Sequence, residues 1–382
     1  MKSINFNNVR QDIQGYINRG EMFGANIIVA QRGEILLRES FGTTDGSTPL
    51  GLDHLFLLMS VSKSYTAVLT LNAIEKGWFS LNTRIAEISP EFAANGKENI
   101  TIFHILTHQA GIFGMPMLPE TSPMDMGNID VIFTKLAAMP ADFPAGTKAS
   151  YSAFAGYAVL GKTLEKCDPK QRTFAQIAED ELFKPLKMTA SSFGNAENNP
   201  KRVAVSHTEK EKAKGDAHAG NLEMIEKMLN LQASNGFQIP AGNAFSTIDD
   251  LFRFAENLRL NLQGDGVRML SPAMARYATQ NHCGEMLNEI WQGECQKLHL
   301  EPLQARFGLH GGYVRGTGHH LNVCGFLASP MAFAAMGGGS TMYLVDPERE
   351  LTVAFVSAGF IEGLPHLLRL SKMNDLILGA LG

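Results

Sequence analysis

The sequence predicts an α+β fold in which helices flank an antiparallel sheet that both ends of the chain build together. Two observations support this prediction. Strand-like apolar runs lie before about residue 60 and after about residue 300, and the apolar periodicity between them is mostly helical. We therefore expect a single domain with an α/β lobe, about 1–59 plus 300–382, and an inserted, mostly helical lobe, about 60–299.

The N-terminal elements follow from local patterns. Apolar residues recur at helical spacing as far as Ile17, and Gly20 then ends the pattern, which predicts an amphipathic helix within residues 1–20. Two strand-like runs come next, ANIIVA from Ala25 and EILLRES from Glu34. The connection between them, QRG, is short and contains a glycine, an arrangement that is typical of a β-hairpin.

Four segments of the middle region have the length and the apolar spacing of helices. They are YTAVLTLNAIEKG, IDVIFTKLAAM, FAGYAVLGKTLEK and TIDDLFRFAENLRL. After about residue 300 the pattern returns to strands, in RFGLHGGYVRG, MAFAAM, STMYLVD and LTVAFVSAGF, before a closing helix from about Pro365. Because strands at both ends enclose a helical middle, we predict one sheet with an inserted subdomain.

The composition is that of an ordinary globular protein and argues against several other classes. Of the 382 residues 45% are hydrophobic, and the net charge is −5 with Lys and Arg dispersed, so we expect no nucleic-acid partner. The N-terminus lacks the apolar core of a signal peptide, and no long apolar run occurs, so we expect a cytoplasmic protein without membrane contact. The four Cys show no CxxC spacing, which favours plain thiols over a disulfide framework.

The most informative motif is the tetrad Ser60, Val61, Ser62, Lys63. In a helix, residues three apart lie on one face, so the Lys63 amine can take the proton of the Ser60 hydroxyl as this oxygen attacks a carbonyl. An ordinary lysine has a pKa of about 10.4 and is charged at neutral pH, so burial must lower the pKa of Lys63. The tetrad therefore indicates a serine that forms an acyl enzyme.

Longer phrases resemble those of one superfamily, in the same order along the chain. HLFLLMSVSKSYTAVL resembles its first motif, ILTHQAGI a phrase that follows, FPAGTKASYSAFAGYAVLG its second-motif region, and PAGNAFSTIDDLFRFAENL and VDPERELTVAF two later phrases. The chain thus resembles the β-lactamase and penicillin-binding-protein superfamily, especially its branch of class C β-lactamases, family VIII carboxylesterases and LovD-type transacylases. The resemblance covers nearly the whole chain and implies the β-lactamase/transpeptidase-like fold.

The resemblance also implies roles for individual residues. Ser60 is the expected nucleophile and Lys63 its base, while Tyr151 is the expected general acid and base that passes a proton to the leaving group. Gly337 retains the glycine of the third motif, and its N–H is expected to form an oxyanion hole with that of Ser60. The adjoining Gly338 extends a glycine run that leads to no P-loop lysine, which favours a tight strand beside the substrate over a phosphate cradle.

Two positions depart from the family pattern. Ala153 stands where β-lactamases and transpeptidases usually have an asparagine that helps to hold the substrate amide. The third motif reads Ala335, Met336, Gly337, so that Ala335 replaces the usual Lys, His or Trp. Because Lys or His there normally gathers a substrate carboxylate, the alanine favours an uncharged acyl substrate or a deep apolar pocket. Both departures favour esters or acyl transfer over β-lactams.

Two further patterns carry less weight. His104 and His108 have a metal-ligand spacing, but a zincin helix would need Glu where Ile105 stands, so we expect no metal and no cofactor. Residues 113–130 contain methionines that either adapt a pocket mouth to apolar acyl groups or belong to an ordinary surface loop. These are Met115, Met117, Met124 and Met126.

The expected activity is that of a serine hydrolase that cleaves a small or medium carboxylic ester, with Lys63 and Tyr151 as general base and acid for Ser60. The first alternative is an acyltransferase that moves the acyl group from a thioester or ester to an alcohol or amine. A β-lactamase or D-aminopeptidase, and a catalytically weakened binding protein, are further alternatives. The expected partner is a small-molecule ester or thioester, and the sequence leaves the exact substrate and the oligomeric state open.

Overall fold

The computed structural model describes residues 4–112, 118–213, 216–361 and 363–382. The α-helices are α1 (Asn7–Asn18), α2 (Ser62–Glu75), α3 (Ile85–Ile88), α4 (Ile102–Leu106), α5 (Ile129–Ala138), α6 (Ala155–Cys167), α7 (Phe174–Ala178), α8 (Glu209–Lys212), α9 (Asp216–Leu231), α10 (Ile248–Gln263), α11 (Pro272–Ala278), α12 (Gln292–Lys297) and α13 (Gly363–Leu381). The strands are β1 (Gly24–Gln31), β2 (Glu34–Gly42), β3 (Phe56–Leu57), β4 (Ser192–Phe193), β5 (Ala244–Ser246), β6 (Tyr313–Val314), β7 (Phe333–Gly337), β8 (Thr341–Asp346) and β9 (Leu351–Ala358).

The main sheet is antiparallel and has the strand order β2-β1-β9-β8-β7-β6. Its first two strands come from the N-terminal part of the chain and the others from the C-terminal part, so both ends build the sheet. The predicted antiparallel sheet flanked by helices is therefore confirmed. A smaller sheet has the strand order β3-β5-β4, and its strand β3 directly precedes the turn and helix that carry the tetrad.

Helices cover both faces of the main sheet. On one face, Ile13 of α1 and Ile377 of α13 share an apolar cluster with Val353 of β9. On the other face, the ring of Phe254 in α10 lies edge to face against Tyr343 of β8. Every residue of β8 and β9 is buried. Strands buried on both faces are rich in apolar residues at successive positions, which is why STMYLVD and LTVAFVSAGF stand out in the sequence.

The predicted N-terminal hairpin is present. Strands β1 and β2 are joined by Arg32 and Gly33, which have φ of 55° and 78°. Two successive residues with positive φ form the tight turn whose twist matches that of the paired strands. The glycine that the sequence places there removes the steric cost at one of the two positions.

The strand predicted over RFGLHGGYVRG is wrong except at Tyr313 and Val314, which form β6. Gly311 has φ of 81°, and a Cβ there would lie 2.7 Å from the carbonyl oxygen of Lys63. The segment therefore turns where its glycines allow the chain to press against the backbone of α2. This close approach depends on a distant helix and leaves no mark on the local strand pattern.

Helix α2 lies in the interior of the molecule, and buried hydrogen bonds fix it there. The hydroxyl of Thr66 donates to the carbonyl oxygen of Pro240 at 2.6 Å. The hydroxyl of Tyr343 donates to the hydroxyl oxygen of Ser64 at 2.9 Å. These bonds tie α2 to β8 and to the segment before β5, so the core positions the tetrad.

Two remaining features concern the cysteines and the helix lengths. Cys283, Cys295 and Cys324 are buried free thiols, and Cys167 is a half-buried one. In the described part of the chain, no helix combines the length and the apolar composition that crossing a membrane requires.

Candidate active site

Ser60 lies in a 3₁₀ turn, Met59–Val61, that leads directly into α2, and its side chain is half-buried. The preceding residue, Met59, has φ of 51°. A bulky side chain adopts this left-handed conformation only at an energetic cost, which the surrounding structure must offset. The strained turn places the Ser60 hydroxyl at the beginning of the buried helix.

The Lys63 side chain is completely buried and lies beside Ser60. Its Nζ is 3.2 Å from the hydroxyl oxygen of Ser60. It also donates to the carbonyl oxygens of Ala153 at 2.6 Å and Ala241 at 3.1 Å. The amine is therefore held in place by neutral oxygens, one of which belongs to the candidate nucleophile.

Burial lowers the pKa of Lys63 to about 7 because a charged amine loses its hydration there. The carbonyl oxygens that accept from Nζ do not offset this loss as a carboxylate would. A substantial fraction of Lys63 is consequently neutral near neutral pH. A neutral amine beside a hydroxyl can act as its general base.

The Tyr151 hydroxyl also interacts with the Ser60 side chain. This interaction lowers the pKa of Tyr151, but burial outweighs it and raises the pKa to about 12. Tyr151 thus keeps its proton at neutral pH and can donate it. The Nζ of Lys63 lies 4.9 Å from the centre of the Tyr151 ring. The structure thus brings Ser60, Lys63 and Tyr151 together, with a group suited to accept a proton and a group suited to donate one.

His108 and Asn288 hold the segment that carries Tyr151. The Nδ1 atom of His108 accepts from the backbone N–H of Ser152 at 3.0 Å, and the ring centres of His108 and Tyr151 are 4.6 Å apart. Asn288 Oδ1 accepts from the backbone N–H of Tyr151 at 3.2 Å. Burial, with the charge of Lys63, places the pKa of His108 well below its usual range, so the ring is a neutral support.

His104 and His108, which have a metal-ligand spacing, make separate structural contacts. His104 Nδ1 accepts from the backbone N–H of Thr101 at 3.2 Å and completes the N-terminal cap of α4. His108 instead supports the segment around Tyr151. Among the described residues, no group of three or more His, Cys, Asp or Glu side chains is arranged to hold a metal ion.

The third-motif strand β7 ends against the Ser60 turn. A Cβ on Gly337 would lie 2.1 Å from the carbonyl oxygen of Leu58 and 2.2 Å from Oγ1 of Thr341, so only glycine fits. Ala335 is 1% exposed and belongs to the main core cluster, whereas Met336, half-buried, faces the other side of the strand. The backbone of β7, and no charged side chain at 335 or 336, therefore borders the site.

Four contacts of the site were not expected from the sequence. Ala153, expected only as a missing asparagine, supplies its carbonyl oxygen to Lys63, and so does Ala241. A backbone acceptor has no side-chain signature, although Ala241 lies in the recognised phrase PAGNAFSTIDDL. Asn288 lies in no recognised phrase, while ILTHQAGI contained His108 without indicating its contact with Tyr151.

Comparisons with known proteins agree with one another. The sequence matches the family described as beta-lactamase over residues 9–369. Penicillin-binding protein 4 of Amycolatopsis lactamdurans is 29% identical over 318 residues, which cover 78% of this chain and 76% of that protein. Esterase EstB of Burkholderia gladioli is 29% identical over 276 residues, which cover 63% of this chain and 66% of that protein.

The fold also recurs in solved structures. One is EstCE1, described as a hydrolase with promiscuous acyltransferase activity, which superposes with a TM-score of 0.75 at 19% identity. The superposition covers 97% of each chain. The β-lactamase/transpeptidase-like fold expected from the sequence is thus confirmed.

Proposed function

The chain belongs to the β-lactamase family, and we propose that it is a serine esterase that works through an acyl enzyme on Ser60. One observation carries the proposal: the buried amine of Lys63, with its pKa lowered to about 7, lies 3.2 Å from the Ser60 hydroxyl oxygen. A weakened binding protein would have no need to keep a buried amine without an ionic partner at this position. Burying it costs stability, and a general base is the use that explains the cost.

The reaction would proceed in two halves. Lys63 takes the proton of Ser60 as Oγ attacks the ester carbonyl, and the N–H groups of Ser60 and Gly337 stabilise the oxyanion of the tetrahedral intermediate. The bond from the carbonyl carbon to the alcohol oxygen then breaks, and Tyr151 donates its proton to that oxygen. In the second half, water gives a proton to the Tyr151 phenolate and attacks the acyl carbon. The bond from the acyl carbon to Ser60 Oγ then breaks, and Lys63 returns its proton to Oγ, so the acid leaves and all three side chains regain their starting protonation.

Two features favour an ester over a β-lactam. Ala153 accepts a hydrogen bond from Lys63 through its backbone carbonyl oxygen. Its side chain is a methyl group, which cannot hold a substrate amide as an asparagine side chain would. The buried Ala335 provides no charge to gather a substrate carboxylate. Penicillin-binding protein 4 is among the similar proteins, so turnover of the chromogenic cephalosporin nitrocefin is the direct comparison.

A second candidate is acyl transfer to an alcohol or amine. EstCE1, whose fold this chain shares, is described as a hydrolase with promiscuous acyltransferase activity. The two reactions have the same first half and differ in what attacks the acyl enzyme. Measuring how a p-nitrophenyl ester partitions between water and an added alcohol separates them.

Labelling with a fluorophosphonate probe tests the acyl-enzyme proposal. We expect stoichiometric labelling of the wild type, loss of labelling in Ser60→Ala, and unchanged labelling in Ser80→Ala, whose serine is exposed on the surface. Hydrolysis of p-nitrophenyl acetate should be lost in the same Ser60 variant. A folded wild type that is neither labelled nor active on the ester would refute the proposal.

A further inference from the structure

A cavity of about 620 Å³ opens beside the candidate active site, between α9 and the turn that follows β7. Its volume is in the range of small-molecule binding sites. Met59, Phe154 and Gly338 line it, and these residues directly adjoin Ser60, Ala153 and Gly337 in the chain. The cavity therefore continues from the position that a reacting carbonyl would occupy.

The lining of the cavity is almost entirely apolar. Among the described residues that line it, Gln232 has the one polar side chain and none is charged. A charged ligand group would lose its hydration there without gaining an ionic partner. Four methionines contribute flexible thioethers that adapt to apolar groups of different shape. These are Met59, Met126, Met224 and Met228.

The methionine-rich segment 113–130 contributes to this cavity only in part. Met126 lines the cavity, whereas Met124 is 59% exposed. Met115 and Met117 lie outside the described residues. The interpretation of the segment as an adaptable pocket mouth is thus supported at Met126, and α9 adds Met224 and Met228 to the lining.

The position of Tyr151 indicates which half of an ester enters the cavity. The leaving alcohol oxygen must approach Tyr151 to receive its proton. The Tyr151 ring packs with His108 and Phe307, at ring-centre distances of 4.6 Å and 6.1 Å, and neither Tyr151 nor these partners are among the described residues that line the cavity. With the alcohol directed toward Tyr151, the acyl chain points the other way, past Met59 and Gly338.

We propose that this cavity binds the neutral, apolar acyl chain of the substrate, and that the enzyme prefers acyl groups of medium length over acetyl. The inference rests on the proposed ester chemistry at Ser60, to which it adds the substrate class. Each methylene that enters the cavity should raise kcat/KM about three- to fourfold, until the cavity is filled. Lengthening the alcohol of an acetate ester should change kcat/KM much less, because that half points away from the cavity.

A series of p-nitrophenyl esters from acetate to dodecanoate measures the preference, and variants of α9 locate it. Ile225 lines the cavity, so Ile225→Trp should lower the octanoate-to-acetate ratio of kcat/KM at least tenfold. Met224→Trp, at a position that is 55% exposed and tolerant of change, should lower it in the same direction. Lys227→Trp is the matched control, since the Lys227 side chain is 74% exposed and outside the lining, and its ratio should equal that of the wild type.

Binding to Ser60→Ala separates this inference from the proposed function. Calorimetry should show that methyl octanoate binds more tightly than methyl butanoate, and that Ile225→Trp in the same background removes the difference. The inference would be overturned if the wild type is labelled and active but shows no preference for acyl length, or prefers long alcohols. The esterase proposal would stand in either case. Length-dependent binding in a protein that is neither labelled nor active would support the ligand class and refute the esterase proposal.

Discussion

The groups on the two sides of Ser60 differ in polarity. On the proposed catalytic side, Lys63 is held by hydrogen bonds to Ser60 and Ala153, and the Tyr151 hydroxyl interacts with Ser60. On the substrate side, formed by β7 and α9, there are strand backbone, a buried alanine and an apolar cavity. Proton transfer requires functional groups held within hydrogen-bonding distance of the reacting atoms. Selection of an apolar acyl chain requires only a cavity of suitable shape that lacks charged groups.

The largest expected effect comes from removing the base on the catalytic side. Lys63→Met keeps the length of the side chain but has no amine, so kcat/KM for a p-nitrophenyl ester should fall a hundredfold or more, the usual contribution of a general base. Tyr151→Phe should cause a loss on the same order. Lys227→Met, at an exposed position of α9, is the control and should retain wild-type kinetics. Near-normal turnover in Lys63→Met would show that another group activates Ser60.

A smaller effect, on the substrate side, comes from the backbone contact of β7. In Gly337→Ala the new Cβ would lie 2.1 Å from the carbonyl oxygen of Leu58, which forces β7 away from the Ser60 turn. A shift of about 1 Å near the reacting atoms typically costs about a hundredfold in rate. The matched variant is Gly338→Ala, where the nearest atom would be 3.7 Å away and the loss should be much smaller. Equal kinetics in the two variants would remove the argument for close packing.

Restoring a charge to the third motif tests whether the substrate side could hold a carboxylate. Ala335→Lys puts a long side chain into the core, and overpacking alone should lower the free energy of unfolding by about 1–3 kcal/mol, measured by denaturant titration. We expect no gain in activity toward esters with an anionic acyl group. Met336→Lys is the comparison, because the half-buried Met336 faces the other side of the strand and a lysine there should be less destabilising. A stable Ala335→Lys enzyme that prefers anionic esters would contradict this account.

A change of pH leaves the sequence unaltered and reports the proposed catalytic side alone. The neutral form of Lys63 is the proposed base, and burial lowers the pKa of this group to about 7, so kcat/KM should rise with pH through about 7 and level off above it. Below that pKa the rate should fall about tenfold per pH unit. Because the pKa of Tyr151 is raised to about 12, loss of its proton should not lower the rate at moderately alkaline pH. A profile that is flat between pH 5 and 9 would contradict the role of Lys63.

The profile should keep the same shape for acetate and octanoate esters. The cavity lining has no charged side chain among the described residues, so acyl length should change the height of the curve and leave its midpoint in place. A midpoint that moves with acyl length would mean that the two sides of Ser60 are coupled electrostatically.

Much of this protein was determined by local sequence. The three-residue spacing of Ser60 and Lys63 places them on one face of a helix, and the hairpin turn at Arg32 and Gly33 depends on adjacent residues. The apolar runs in STMYLVD and LTVAFVSAGF predicted the strands that the structure shows as β8 and β9. The phrase around Tyr151 pointed to the third residue of the proposed catalytic group through the resemblance alone.

The tertiary structure decided what lies between distant segments. Lys63 has its pKa near neutrality because the fold buries it against the carbonyl oxygens of Ala153 and Ala241, and a backbone oxygen can come from any residue type. The turn at Gly311 and the cavity beside Met59 likewise depend on which segments meet, so no local pattern could predict them. The spacing in the sequence brings Ser60 and Lys63 together. Packing between distant segments determines the protonation state of Lys63 and the volume of the cavity beside Ser60.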